Sequence, residues 1–137
     1  CYVKRSDPSQ IVRYWRAGNY EAGKLRHGWM PPHPTFFVRR SLYENYGLYR
    51  EDLGTAADYE LMLRFLLRHQ VWVTYIPKIL VKMRTGGASN ASWSARFGAN
   101  RMDRRAWEVN GLRPYPWTLA VKPLRKIPQW WRRPQPD

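Results

Sequence analysis

The stretch AGNYEAGKLRHGWMPPHP, residues 17 to 34, carries neither a helical nor a strand period. Gly18, Gly23 and Gly28 break regular structure, and Pro31, Pro32 and Pro34 each remove a backbone donor. A compact domain rarely holds so long a connection unless it is ordered and functional. The fold must therefore be assembled from short elements on either side of this loop.

Those elements alternate in type. QIVRYW, residues 10 to 15, reads as a strand, and SDPS before it reads as a turn from an earlier strand-like run. TFFVRR predicts a short strand and SLYENYG a helix, with Ser41 as N-cap, Glu44 completing a capping box and Gly47 closing it. LYREDLGTAA leads into a helix at about 57 to 69. VWVTYIP and ILVKMR are two β-rich runs separated at Pro77 and Lys78. A helix of roughly 93 to 109 ends at Asn110-Gly111. The pattern is α/β, with short strands, three or more helices and no glycine-rich turn that would cradle a nucleotide. No internal repeat is present.

Length and composition allow one domain or part of a larger one: 137 residues, 44% hydrophobic, with Trp 8, Tyr 9 and Phe 4. That is enough apolar surface for a core, and it excludes disorder outside the Pro-rich ends. Cys1 is the lone cysteine, so no internal disulfide framework exists, and a reducing compartment is expected. No apolar run approaches the roughly 20 residues needed to span a bilayer. The expected location is cytoplasmic, peripheral at the inner face of the cytoplasmic membrane. The chain opens inside a strand-like pattern without Met, and it is expected to be a piece of a longer protein.

Charge is distributed unevenly. The net charge is +14, and no acid occurs between Glu60 and Asp103, a gap that holds Arg64, Arg68, Lys78, Lys82, Arg84, Arg96 and Arg101. Such a field attracts phosphate in nucleic acid, anionic lipid or a nucleotide-bearing substrate. Against that background, GTAADYELMLRFLLR places Asp58 and Glu60 at the mouth of an apolar helix. Glu60, Arg64 and Arg68 fall on one face at four-residue spacing, which predicts an exposed salt-bridge ladder. Asp58 has only Leu61 and Met62 at the neighbouring positions of its helix. Two roles are open to it: a first-turn acid that caps backbone N–H groups, or a catalytic base.

Taken in order, GWMPPHPTFFVRRSLYENYGLY, TAADYELMLRFL, YIPKILVKMRTGGASN and KPLRKIPQ resemble the C-terminal part of bacterial family 2 glycosyltransferases of the GT-A fold. The similarity runs from about Cys1 to Gln129, toward members that build cell-surface polysaccharides. It implies an acceptor-side portion over 1–111, a basic Trp- and Pro-rich tail over 112–137, and a nucleotide-binding half upstream. In that family an acid at the start of this helix deprotonates the acceptor hydroxyl. The position falls on Asp58, with Ala57 where many members carry Glu, and Glu60 is expected to bind acceptor hydroxyls. A departing nucleoside diphosphate needs no protonation, so a second carboxylate is not required. The resemblance implies a nucleotide-sugar donor and a glycan or lipid-linked acceptor. It also implies a divalent metal, Mg or Mn, whose Asp-rich motif precedes the part resembled here; none of its ligands is assigned to this chain. Inversion at the anomeric carbon is expected as well.

Other residues keep alternatives. His33, between Pro32 and Pro34, is a candidate for contact with acceptor or donor, for metal ligation, or for a loop hydrogen bond to backbone. Trp29 is a sugar-stacking surface or a core residue. Arg84, in a segment resembling a mobile loop with Gly86 and Gly87 as hinges, is a diphosphate ligand or an exposed turn residue. The tail sets Trp117, Leu119, Val121, Leu124, Ile127, Trp130 and Trp131 among Lys122, Arg125, Lys126, Arg132 and Arg133, which suits an anionic membrane or a segment packed on the domain. Pro123 and Pro128 exclude one clean amphipathic helix. The competing class is a non-catalytic basic module for nucleic acid or anionic membrane. Nucleic acid is disfavoured by the absence of a recognition motif.

Overall fold

The computed structural model describes residues 1–85 and 93–131, with 93–99 described as backbone only. Among these residues the architecture is mixed α/β, with four α-helices and a small sheet. Strand β1 (Tyr2–Val3) lies in the middle of the sheet. It pairs antiparallel with β2 (Ile11–Arg13) and parallel with β3 (Met83–Arg84). The β1–β2 connection turns on Asp7, whose carboxylate accepts from the Ser9 backbone at 2.9 Å, the Ser9 hydroxyl at 2.6 Å and Gln10 Nε2 at 2.7 Å.

Helix α1 (Arg40–Tyr46) differs from expectation at its start. Arg39 is the N-cap and no side chain caps the helix, so Ser41 lies inside it. Glu44 pairs with Arg40 at 3.0 Å, one turn back, instead of closing a capping box. Its end is as read: Gly47, at φ 91°, donates its N–H to the Tyr43 carbonyl at 2.8 Å. TFFVRR forms no strand. His33–Thr35 is a single 3-10 turn, and the residues after it find no ladder partner among the described residues.

Helix α2 (Ala57–Met62) follows a 3-10 segment, Glu51–Ala56, and runs on into a wider π-type segment, Leu63–Arg68. Every residue from Tyr59 to Phe65 and Leu66 is buried. A helix that is apolar nearly all round belongs inside a fold, and here it is buried except at its two ends. Tyr59, Met62, Leu63 and Leu66 pack with Leu25 and with Ala106 and Trp107 of α3 (Trp93–Val109). Gly111, at φ 67°, follows the end of α3 where the sequence placed it.

The long loop is ordered by its own contacts. Leu25, in the 3-10 turn Lys24–His27, is fully buried. The Tyr20 hydroxyl donates to Leu66 O at 2.8 Å, and Trp29 Nε1 donates to Ala17 O at 2.9 Å. Gly28, at φ 73°, lets the loop meet α4 (Thr118–Leu124) so closely that a Cβ there would lie 2.8 Å from Lys122 N.

Among the described residues, the β-rich runs after the buried helix pair only at Met83–Arg84. From Val71 to Ile76, burial nevertheless alternates residue by residue, the period of a strand. Trp72 is 86% exposed, and Trp72 to Tyr75 make no backbone hydrogen bond with any described residue.

Candidate active site around Asp58

Asp58 is the second residue of α2, in the favourable end of the helix dipole. No side chain caps this helix, so the capping bond open to Asp58 on sequence grounds is not made. Instead its Oδ2 lies 3.9 Å from Nε2 of His33, with both side chains about half exposed. The 3-10 turn at His33–Thr35, seeded by Pro34 at its second position, carries the imidazole to this point. Two separate motifs thus place a carboxylate and an imidazole together at a half-exposed surface.

Tyr49 shares this neighbourhood. Its ring lies 6.0 Å from that of Tyr43. Its hydroxyl is pushed up to about 12, first by desolvation, with Tyr43 and the negative charge of Asp58 adding to the shift. After desolvation, the largest contribution to that shift is a side-chain hydrogen bond with Tyr43, and Asp58 contributes only through its charge. No sequence spacing pointed to Tyr49, because the 3-10 segment Glu51–Ala56, kinked at Gly54, separates it from α2.

Glu60 has a different place from the one expected. It is 2% exposed, and its carboxylate accepts from Arg64 Nη2 at 2.9 Å and from Asn110 Nδ2 at 3.1 Å. Arg64 also donates to the carbonyls of Tyr46 and Leu48, each at 2.7 Å. The exposed ladder is therefore a buried clasp joining α2, the end of α3 and the turn after α1, and exposed Arg68 stays outside it. A carboxylate so enclosed has no face to offer an acceptor, which corrects the acceptor-binding assignment. Arg64 Nε and Asn110 Oδ1 are left without partners in the clasp.

A second internal network was missed by sequence reasoning. Lys122 Nζ pairs with Asp103 at 2.5 Å and lies 3.5 Å from the Tyr59 ring centroid, while Trp107 Nε1 donates to the Tyr59 hydroxyl at 3.0 Å. Burial lowers the Lys122 pKa and Asp103 opposes that shift. Lys122 is thus an internal cation, not a membrane-facing one.

Trp29 packs half-buried against the core and lies 5.8 Å from the Tyr20 ring. It also borders a cavity of about 650 Å³ whose wall includes His33, Phe36, Phe37 and Trp72. Arg84 is exposed on β3, opposite Val3 in the register, and makes no ion pair with the described residues around Asp58. Gly86 and Gly87 lie outside the described residues. Among the described residues no three His, Cys, Asp or Glu side chains converge to hold a metal. Among them, too, no helix is long and apolar enough to cross a membrane. Comparison with family models, with curated proteins and with solved structures returned no match.

Proposed function

We propose that this chain is the acceptor-side part of an inverting glycosyltransferase of GT-A type, acting with a nucleotide-binding half. The observation that carries the reading is the meeting of His33 and Asp58 at 3.9 Å on a half-exposed surface. HPTFFVRR and AADYELMLR, the two motifs whose order underlies the resemblance, supply one residue each. In this reading Asp58 Oδ accepts the proton of an acceptor hydroxyl as that oxygen bonds to the anomeric carbon. The bond from that carbon to the diphosphate breaks with its electron pair leaving on the diphosphate, and the configuration inverts. His33 orients the carboxylate. Exposed Phe37, Trp72, Ile76 and Leu80, two of them within the unladdered run itself, support a surface on which the nucleotide-binding half packs. The acceptor is a glycan or a lipid-linked sugar.

The test is transfer by the full-length enzyme across a panel of nucleotide sugars, in wild type and Asp58→Asn. Loss of turnover by roughly 10² or more is expected with binding intact. Transfer at near-normal rate by the variant would remove Asp58 from the chemistry.

A further inference from the structure

The tail is both pinned to the domain and exposed, and the two properties belong to different residues. Thr118 is buried and donates its hydroxyl to Arg26 O, and Lys122 is tied to Asp103. Buried Gln129 accepts from Arg13 Nε at 2.8 Å, while its carbonyl accepts from Tyr14 N at 2.9 Å. Between these anchors, every residue from Pro123 to Pro128 is exposed. Leu124 is 59% exposed and Ile127 47%, with Arg125 and Lys126 between them, and Trp131 is 74% exposed just beyond. From Val109 to Pro136 the sequence holds no acid.

We infer that this pinned turn, Pro123 to Trp131, is a docking surface for an anionic bilayer. Aliphatic side chains flanking two cations on a rigid turn match the bilayer interface, where apolar groups enter the acyl boundary and cations remain at the headgroups. Charge complementarity selects anionic over neutral lipid. Trp131 suits a base or a headgroup interface equally, so Leu124 and Ile127 decide between them: exposed aliphatic side chains beside the cations gain by entering the acyl boundary and gain little from a nucleic acid. The surface does not depend on the transferase reading, although it would hold an enzyme beside a lipid-linked acceptor.

The test is co-sedimentation of this chain with vesicles of phosphatidylcholine alone and of equal parts phosphatidylcholine and phosphatidylglycerol. Binding to the anionic vesicles only, weakening as salt rises, is expected. Truncating the tail would also remove buried Thr118, Lys122 and Gln129, so exposed positions are varied instead. Arg125→Gln with Lys126→Gln should weaken binding roughly thirtyfold, the scale for removing two cations near such a surface. Leu124→Ser with Ile127→Ser should weaken it by roughly tenfold or more, with thermal unfolding unchanged in both double variants. Equal binding to both vesicle types, no binding to either, or wild-type binding by either double variant would overturn the proposal. So would displacement from vesicles by a single-stranded oligonucleotide, which would mark the surface as a nucleic-acid site.

Discussion

His33 Nε2 stands 3.9 Å from Asp58 Oδ2, although the two residues come from elements separated by the whole of α1 and the turn that follows it. The gap is longer than a hydrogen bond and within ion-pair reach, so a ligand hydroxyl can still approach the carboxylate. Asp58→Asn tests the carboxylate without disturbing its surroundings. Because no capping bond is lost, the melting temperature should stay near wild type, while single-turnover transfer by the full-length enzyme falls by roughly 10². His33→Ala should cost about tenfold through misorientation alone. An unchanged rate for His33→Ala would leave the imidazole without a role in turnover.

Glu60→Ala should behave in the opposite way. It removes one partner of a buried pair and leaves Arg64 uncompensated, a change that costs roughly 3–5 kcal/mol. Urea unfolding should show the loss directly. Glu60→Leu combined with Arg64→Met should be less destabilised than the sum of the single changes, with a coupling of about 1 kcal/mol or more. Strict additivity would mean that the clasp contributes nothing as a unit.

Gly28 and Gly18 both sit at φ 73° and differ only in what surrounds them. Alanine at Gly18 meets nothing within 4 Å, so it should cost only the left-handed backbone penalty, about 1 kcal/mol. Alanine at Gly28 would drive its Cβ into the α4 backbone at Lys122 and should cost clearly more. Equal urea midpoints for the two variants would mean that α4 moves away freely.

Burial raises the Tyr59 hydroxyl above the ordinary phenol value of 10.0, with the charge of Asp103 adding and the Trp107 hydrogen bond opposing. A raised acid binds its proton more tightly when folded. Its stabilising contribution is therefore fully present below about 10.0 and is lost as the pH rises toward the folded value. Lys122 acts in the opposite sense over the alkaline range, because its depressed folded pKa favours deprotonation in the native state. Comparing alkaline unfolding of wild type with Tyr59→Phe separates the two. The variant should lose less stability as the pH rises, and an identical decline would assign the effect elsewhere.

Helices α1 to α3 were legible because their signals are local, whereas α4, which carries Pro123 inside it, was not legible in the sequence. The period from Trp93 to Val109 and the Asn110-Gly111 stop depend on neighbours in sequence, and they match α3. Strand predictions failed where the deciding partner is distant: TFFVRR has strand chemistry, but prolines precede it and no described strand lies beside it. Ser41 illustrates another limit, since the N-cap is Arg39, two residues earlier, which leaves the hydroxyl inside the helix. At the site, the four-residue spacing gave the Glu60–Arg64 contact correctly but not its burial. Asn110, fifty residues further on, and the carbonyls of Tyr46 and Leu48 close over the pair. The nearness of His33 to Asp58 has no local signal either, because a connection through α1 sets it.

The run from Val71 to Ile76 has one practical consequence. Its side chains alternate as in a sheet, while the backbone from Trp72 to Tyr75 keeps its hydrogen-bonding groups open to any strand that meets it. Handled alone at high concentration, this polypeptide should therefore self-associate edge to edge and form β-rich precipitate. A lysine at exposed Thr74, Thr74→Lys, should delay that precipitation in turbidity measurements, much as charged gatekeepers protect open edges elsewhere.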